Sequence, residues 1–160
     1  SIQDAYESIN WSVIFLISAL IPIGIAIDNT GTDVLIGDFI VYLGNLFDNG
    51  INQDPHIYLA ILYISTVVFS AFISNNAIAI IMTPIAIALA TNLDINPRPF
   101  MVAVCFGASN CFMTPIGYQT NLMVYGPGQY RFSDFLKAGL PLTIIFWLIA
   151  IYYIPIFWPF

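Results

Sequence analysis

Between Ile57 and Leu93 the chain runs almost continuously apolar for 37 residues, interrupted by the polar triplet Ser74–Asn75–Asn76 and by Pro84. An unbroken helix of that length would rise about 55 Å, well beyond the roughly 30 Å of a bilayer's hydrocarbon core. Either one long helix bends, or two shorter helices form a hairpin whose tip is the triplet. Asn and Ser hydrogen-bond their own backbone and so break helical patterns. That favours a re-entrant hairpin over about residues 57–93.

Lipid is the solvent this composition demands. Charged residues make up 8% of the 160, with three basic and nine acidic side chains, while 59% are hydrophobic. A soluble domain carries about 25% charged residues. Runs such as Trp11 to Ile27 are apolar on every face, which excludes the alternating strands of a membrane barrel. The fold class is therefore all-α integral membrane. No charged n-region precedes the first apolar run, which argues against a signal peptide. The start at Ser1 and the opening AYESINW suggest a piece of a longer polypeptide.

Along the chain, a first apolar segment covers about 10–27, with Pro22 and Gly24 inside it, and stops at Asp28–Asn29–Thr30–Gly31. A second, shorter one runs from Asp33 to Phe47 and carries Asp38. After the polar loop 48–55 and the long stretch above, Asn92 to Pro99 reads as another loop. Phe100 to Met113 resumes as a helix rich in small residues, which let helices approach closely in lipid. It gives way to Thr114–Pro115–Ile116–Gly117–Tyr118–Gln119–Thr120–Asn121, no ordinary membrane helix, so about 100–128 reads as a broken helix. Arg131 to Ala138 is a short amphipathic stretch, and about 139–157 is the last span. Trp147, Tyr152, Tyr153 and Trp158 suit an aromatic belt.

Residues 70–76 and 114–121 thus put loosened backbone at membrane depth. Such backbone persists only where protein buries it or where it lines a cavity. Transporters use it: half-helix N-termini face an anion, while freed carbonyls hold sodium. Neutral Ser, Thr and Asn oxygens suit a site that must bind sodium and release it. The competing reading makes the triplet interhelical glue. Neither break carries Asp, Glu or His, which argues against a buried proton relay. Asp28 and Asp38 fit helix ends or an interfacial position, and His56 fits a loop junction. Cys105 and Cys111 read as buried free thiols, with no metal or disulfide spacing. The net charge of −6 argues against nucleic acid.

The stretches SNNAIAIIMTPIA (74–86) and TPIGYQTNLMVYGPGQYRFSDFLKAGLPL (114–142) resemble the divalent anion:sodium symporters. The second is similar to the sulfate-permease-like branch, whose members often carry cytoplasmic TrkA-C domains; citrate carriers share the wider family. The resemblance covers essentially the whole chain, as the C-terminal transmembrane repeat, one inverted-repeat half of a secondary transporter. It implies that Ser74, Asn75, Asn76, Thr120 and Asn121 contact the substrate. It implies further that Ser70, Ile73 and Gly117, with Asn75, hold a coupling sodium ion. Asn76, where dicarboxylate carriers have Thr, and Gln119–Thr120, in place of a proline pair, favour an inorganic anion such as sulfate.

The expected function is sodium-coupled symport of a divalent anion, with di- or tricarboxylate as the alternative and no enzyme activity. The missing N-terminal repeat would supply the rest of the site. A homodimer in the plasma or inner membrane is implied, with sodium as coupling ion and no organic cofactor. Rival readings are an arsenite permease, a sodium/proton antiporter, or a non-transporting scaffold.

Overall fold

The computed structural model describes residues 29–48 and 54–160 continuously, together with residues 14, 15, 18, 19, 22, 25 and 26. Those separate residues are helical, but the first apolar segment as a whole, Asp28 and the loop residues 49–53 lie outside the described residues. Every regular element described is an α-helix. These are α1 (Thr32–Asp48), α2 (Pro55–Ser70), α3 (Asn75–Asn92), α4 (Arg98–Ser109), α5 (Gln119–Tyr125) and α6 (Phe132–Phe157).

Asp54 starts α2 by accepting the His56 amide at 3.0 Å, with Pro55 in the first turn where a missing N–H costs nothing. The buried face of α2 is Tyr58, Leu59, Leu62, Tyr63, Thr66, Val67 and Ser70, one stripe at helical spacing. That stripe meets Ile78, Met82, Ile85 and Leu89 of α3 and Phe100, Ala103 and Val104 of α4 in a single core. Glycines set the closest approaches. A side chain at Gly44 of α1 would lie 2.2 Å from the Tyr58 ring, and one at Gly107 of α4 would lie 3.1 Å from Thr66 Cβ.

The 37-residue apolar run is two helices, α2 and α3, but the turn between them is 71–74 rather than the triplet: Ser74 closes it, and Asn75 and Asn76 form the first turn of α3. At the far end of α3 the chain reverses through a left-handed residue, Asp94, at φ 55°. The Ile95 amide reaches back to Ala90 O (3.0 Å) and the Asp94 amide to Thr91 O (3.2 Å), a Schellman closure in which glycine is the unstrained choice. Asp94→Gly is therefore expected to stabilise the protein by about 1 kcal/mol, relieving the left-handed strain. Thermal unfolding in detergent reads this, and an unchanged or lower midpoint contradicts it.

Two further boundaries differ from the sequence expectation. α4 ends at Ser109, four residues before Met113, because its last carbonyls and Asn110 find tertiary partners described below. The amphipathic stretch 131–138 and the last span are one helix of 26 residues. Asp134 accepts the Arg131 amide at 2.8 Å and starts it, and nothing after Ala138 breaks it: Gly139 and Pro141 are carried within the helix. Among the described residues α3 and α6 are long and apolar enough to cross a membrane; α6 buries Gly139, Thr143, Ala150 and Ile154 against the other helices and leaves most of its apolar side chains exposed.

Candidate functional site: two broken helices that meet

The two polar breaks are stitched together. Thr114 donates its hydroxyl to Ala71 O at 2.7 Å, and the Gly117 amide donates to Thr114 Oγ1 at 3.3 Å. Gly117 sits so close to the end of α2 that an added Cβ would lie 2.5 Å from Ser70 O and 3.3 Å from Ala71 Cα. The irregular segment 110–118 is pinned from its other side by Asn121, whose amide nitrogen donates to Cys111 O (2.7 Å) and Thr114 O (3.1 Å).

At the junction lies the Asn75 side chain. With Oδ1 turned inward it stands 3.5 Å from Ser70 Oγ and 2.8 Å from Cys111 Sγ. With the nitrogen inward instead, it donates to Ala108 O at 3.2 Å and Gly117 O at 3.3 Å. Amide orientation is assigned from such partners rather than observed. The oxygen-inward arrangement places three other oxygens, from Ser70, Ala108 and Gly117, around Asn75 Oδ1. Mutually repelling acceptors of that kind are relieved by a cation between them. Ser70, fully buried, also donates to Ala108 O at 2.7 Å. That bond diverts a helix carbonyl and helps to end α4.

Asn110, one residue past α4, was expected inside a helix. It is instead 4% exposed, donates to Tyr63 OH (3.1 Å) and accepts from Thr143 Oγ1 (3.2 Å), tying α2 and α6 to the break. Asn110 and Cys111 are the residues that sequence reasoning missed as parts of the site. The available signal was Ser109–Asn110, the same dipeptide as Ser74–Asn75, set in apolar sequence. The two cysteines also part company: Cys111 is buried, but Cys105, expected buried, is exposed on α4. Its position, away from the Phe100, Ala103, Val104 and Gly107 stripe, explains why.

Of the residues expected at the site, Ser70, Asn75 and Gly117 are brought together. Ile73 lies in the turn with its amide on Phe69 O, and among the described residues no hydrogen bond ties its carbonyl to the cluster. Ser74, Asn76 and Thr120 are exposed around the junction, and none bonds to it among the described residues. Ser74 occupies the N-cap of α3 without a side-chain capping bond, leaving the first amides of that helix uncapped. Asn121 spends both amide hydrogens on the chain's own carbonyls and so acts as a brace.

Residues 50–159 match the citrate transporter family. Over 89% of its length the chain is 46% identical to an uncharacterised transporter of Synechocystis, of which it covers 22%. It is 36% identical, over 93% of its length, to a probable sodium/sulfate cotransporter of Chlamydomonas reinhardtii, covering 16% of that protein. A sodium-dependent low-affinity dicarboxylate transporter of Caenorhabditis elegans is 30% identical over 90% of the chain, which covers 23% of it. The chain thus spans a quarter or less of the length of these relatives. With both broken segments inside the matched region, the chain belongs to the citrate transporter family among the divalent anion:sodium symporters, and is an integral membrane chain.

Proposed function

We propose that this chain supplies half of the ion and substrate site of a sodium-coupled carrier of divalent anions, with sulfate as the favoured cargo. The observation that carries the reading is the convergence of Ser70 Oγ, the Asn75 amide, Ala108 O and Gly117 O where two helices break. Sodium is a hard cation that takes oxygen ligands, and these four are neutral, so release costs little. The anion lies at the N-terminus of α3, where the uncapped amides of Asn75, Asn76 and Ala77 and the positive end of the helix dipole favour negative charge. Ser74, Asn76 and Thr120, exposed beside it, offer neutral donors.

In this reading α2 and α3 form a re-entrant pair, and 98–128 is the discontinuous helix that faces it. An inverted repeat elsewhere in the carrier contributes the second half of the site, and alternating access carries both ions across a cell membrane as a homodimer works. The relatives named as sodium/sulfate cotransporters support sulfate. A second reading, a di- or tricarboxylate as cargo, draws support from the dicarboxylate relative and from the family's name.

The test is uptake of labelled sulfate by the full-length carrier in proteoliposomes, with and without an inward sodium gradient. Sodium-driven uptake is expected in the wild type and its loss in Asn75→Ala. Excess citrate or succinate that competes fully, with weak sulfate uptake, selects the carboxylate reading. Sulfate uptake that ignores both sodium and the substitution overturns the site.

A further inference from the structure

The sulfur of Cys111 touches three of the four groups just described. It lies 2.7 Å from Ser70 Oγ, 2.8 Å from the inward atom of the Asn75 amide and 3.1 Å from Ala108 O. It is 5% exposed, and its own backbone is fixed by Asn121 on its carbonyl and by Asn110, its neighbour, between Tyr63 and Thr143. A side chain held this firmly, against this many members of one pocket, is placed for more than filling space.

The chemistry of the pocket says what it does. Cation binding requires Asn75 to turn Oδ1 inward, whereas the nitrogen-inward amide bonds Ala108 O and Gly117 O. A fixed donor at this point would lock Oδ1 inward, and a fixed acceptor would compete with the two carbonyls for the amide hydrogens. A thiol is a weak donor and a weak acceptor at once. It can give its hydrogen to Oδ1 in one arrangement and turn it to Ala108 O, 3.1 Å away, in the other, where the amide spends both its hydrogens on Ala108 O and Gly117 O.

We propose that Cys111 is a positioning residue for the cation, the peg that holds Ser70 and Asn75 in register while the Asn75 amide turns over between its two orientations. It acts on ion affinity rather than on the anion, and the inference rests on the cation pocket proposed above. Because the weak thiol favours neither orientation, the choice lies between the two carbonyls, which draw the nitrogen inward, and sodium, which draws Oδ1 inward.

The test compares sodium activation of anion uptake in the full-length wild type, Cys111→Ala, Cys111→Ser and Asn75→Ala. Alanine is expected to raise the half-saturating sodium concentration about fivefold or more, with the maximal rate at saturating sodium within about twofold. Serine, which both donates and accepts, is expected to restore wild-type half-saturation to within about twofold. A measurement that does not depend on the alanine variant's folding is the infrared S–H stretching band of Cys111, with every other cysteine replaced. The band is expected to move on adding sodium and to stay in place with potassium. Wild-type sodium activation in Cys111→Ala, a serine variant as impaired as the alanine one, or an S–H band indifferent to sodium each overturns the proposal. Should Asn75→Ala also keep wild-type sodium activation, the pocket itself has failed, not merely the role of the thiol.

Discussion

Gly117→Val is expected to lower sodium-driven anion uptake about 10²-fold, the order that an ångström of misplacement costs at a site built on geometry. The reason is space, not backbone freedom, because Gly117 has no left-handed φ. Its first added carbon would lie 2.5 Å from the Ser70 carbonyl oxygen and 3.3 Å from two atoms of Ala71, all main chain, so no side chain can swing aside. The irregular segment must retreat from the end of α2. Retreat pulls the Gly117 carbonyl from Asn75, now 3.3 Å away, and strains the 2.7 Å bond from Thr114 to Ala71 O. The oxygen cluster proposed to hold sodium and the link between the two breaks are lost together. Gly126→Ala is the control, since a Cβ there meets nothing within 4 Å, and it should transport as the wild type does. A Gly117→Val carrier with wild-type uptake and unchanged sodium dependence would show that the two breaks do not work at this close approach.

Most of the fold's logic was legible in the residues. Apolar runs gave helices, and the long run does break beside the triplet, but at 71–74: Ser74 ends the turn without a side-chain bond, and Asn75 and Asn76 already belong to α3. The two breaks, 70–76 and 114–121, were read from the residues, while Ser70 and Gly117 were singled out within them only by the family resemblance. What stayed hidden depended on tertiary partners. α4 stops at Ser109 because Ser70, 38 residues earlier, takes the Ala108 carbonyl, and no local propensity at Ala108 encodes that. Asn110 leaves the helix for Tyr63 and Thr143, which lie 47 and 33 residues away. Cys111 and Cys105 look alike in sequence and differ only in which face of the chain the core occupies. Thr120 and Asn121 are neighbours in the same motif, yet one is exposed and the other spends its donors bracing Cys111 and Thr114.

Gly139 makes the opposite case to an isolated helix. In the interior of a free helix, Gly→Ala gains about 1 kcal/mol. In this protein an added methyl at 139 would lie 2.1 Å from Phe112 O, 2.4 Å from its carbonyl carbon and 2.8 Å from the Met113 amide. α6 would have to move away from the break by about an ångström, and overpacking of that kind costs about 1–3 kcal/mol. Separation also stretches the 3.2 Å bond from Thr143 to Asn110, whose loss inside an apolar core leaves a buried acceptor unpaired at about 1–3 kcal/mol. The losses exceed the propensity gain, so Gly139→Ala is expected to destabilise by about 2 kcal/mol, the net of these terms. Thermal unfolding in detergent should show a clear drop in midpoint, deepened in Gly139→Val, while Thr143→Val alone falls part of the way. If Gly139→Ala instead unfolds at or above the wild-type temperature, helix propensity governs this position, and α6 does not clamp the segment that carries Cys111 and Gly117.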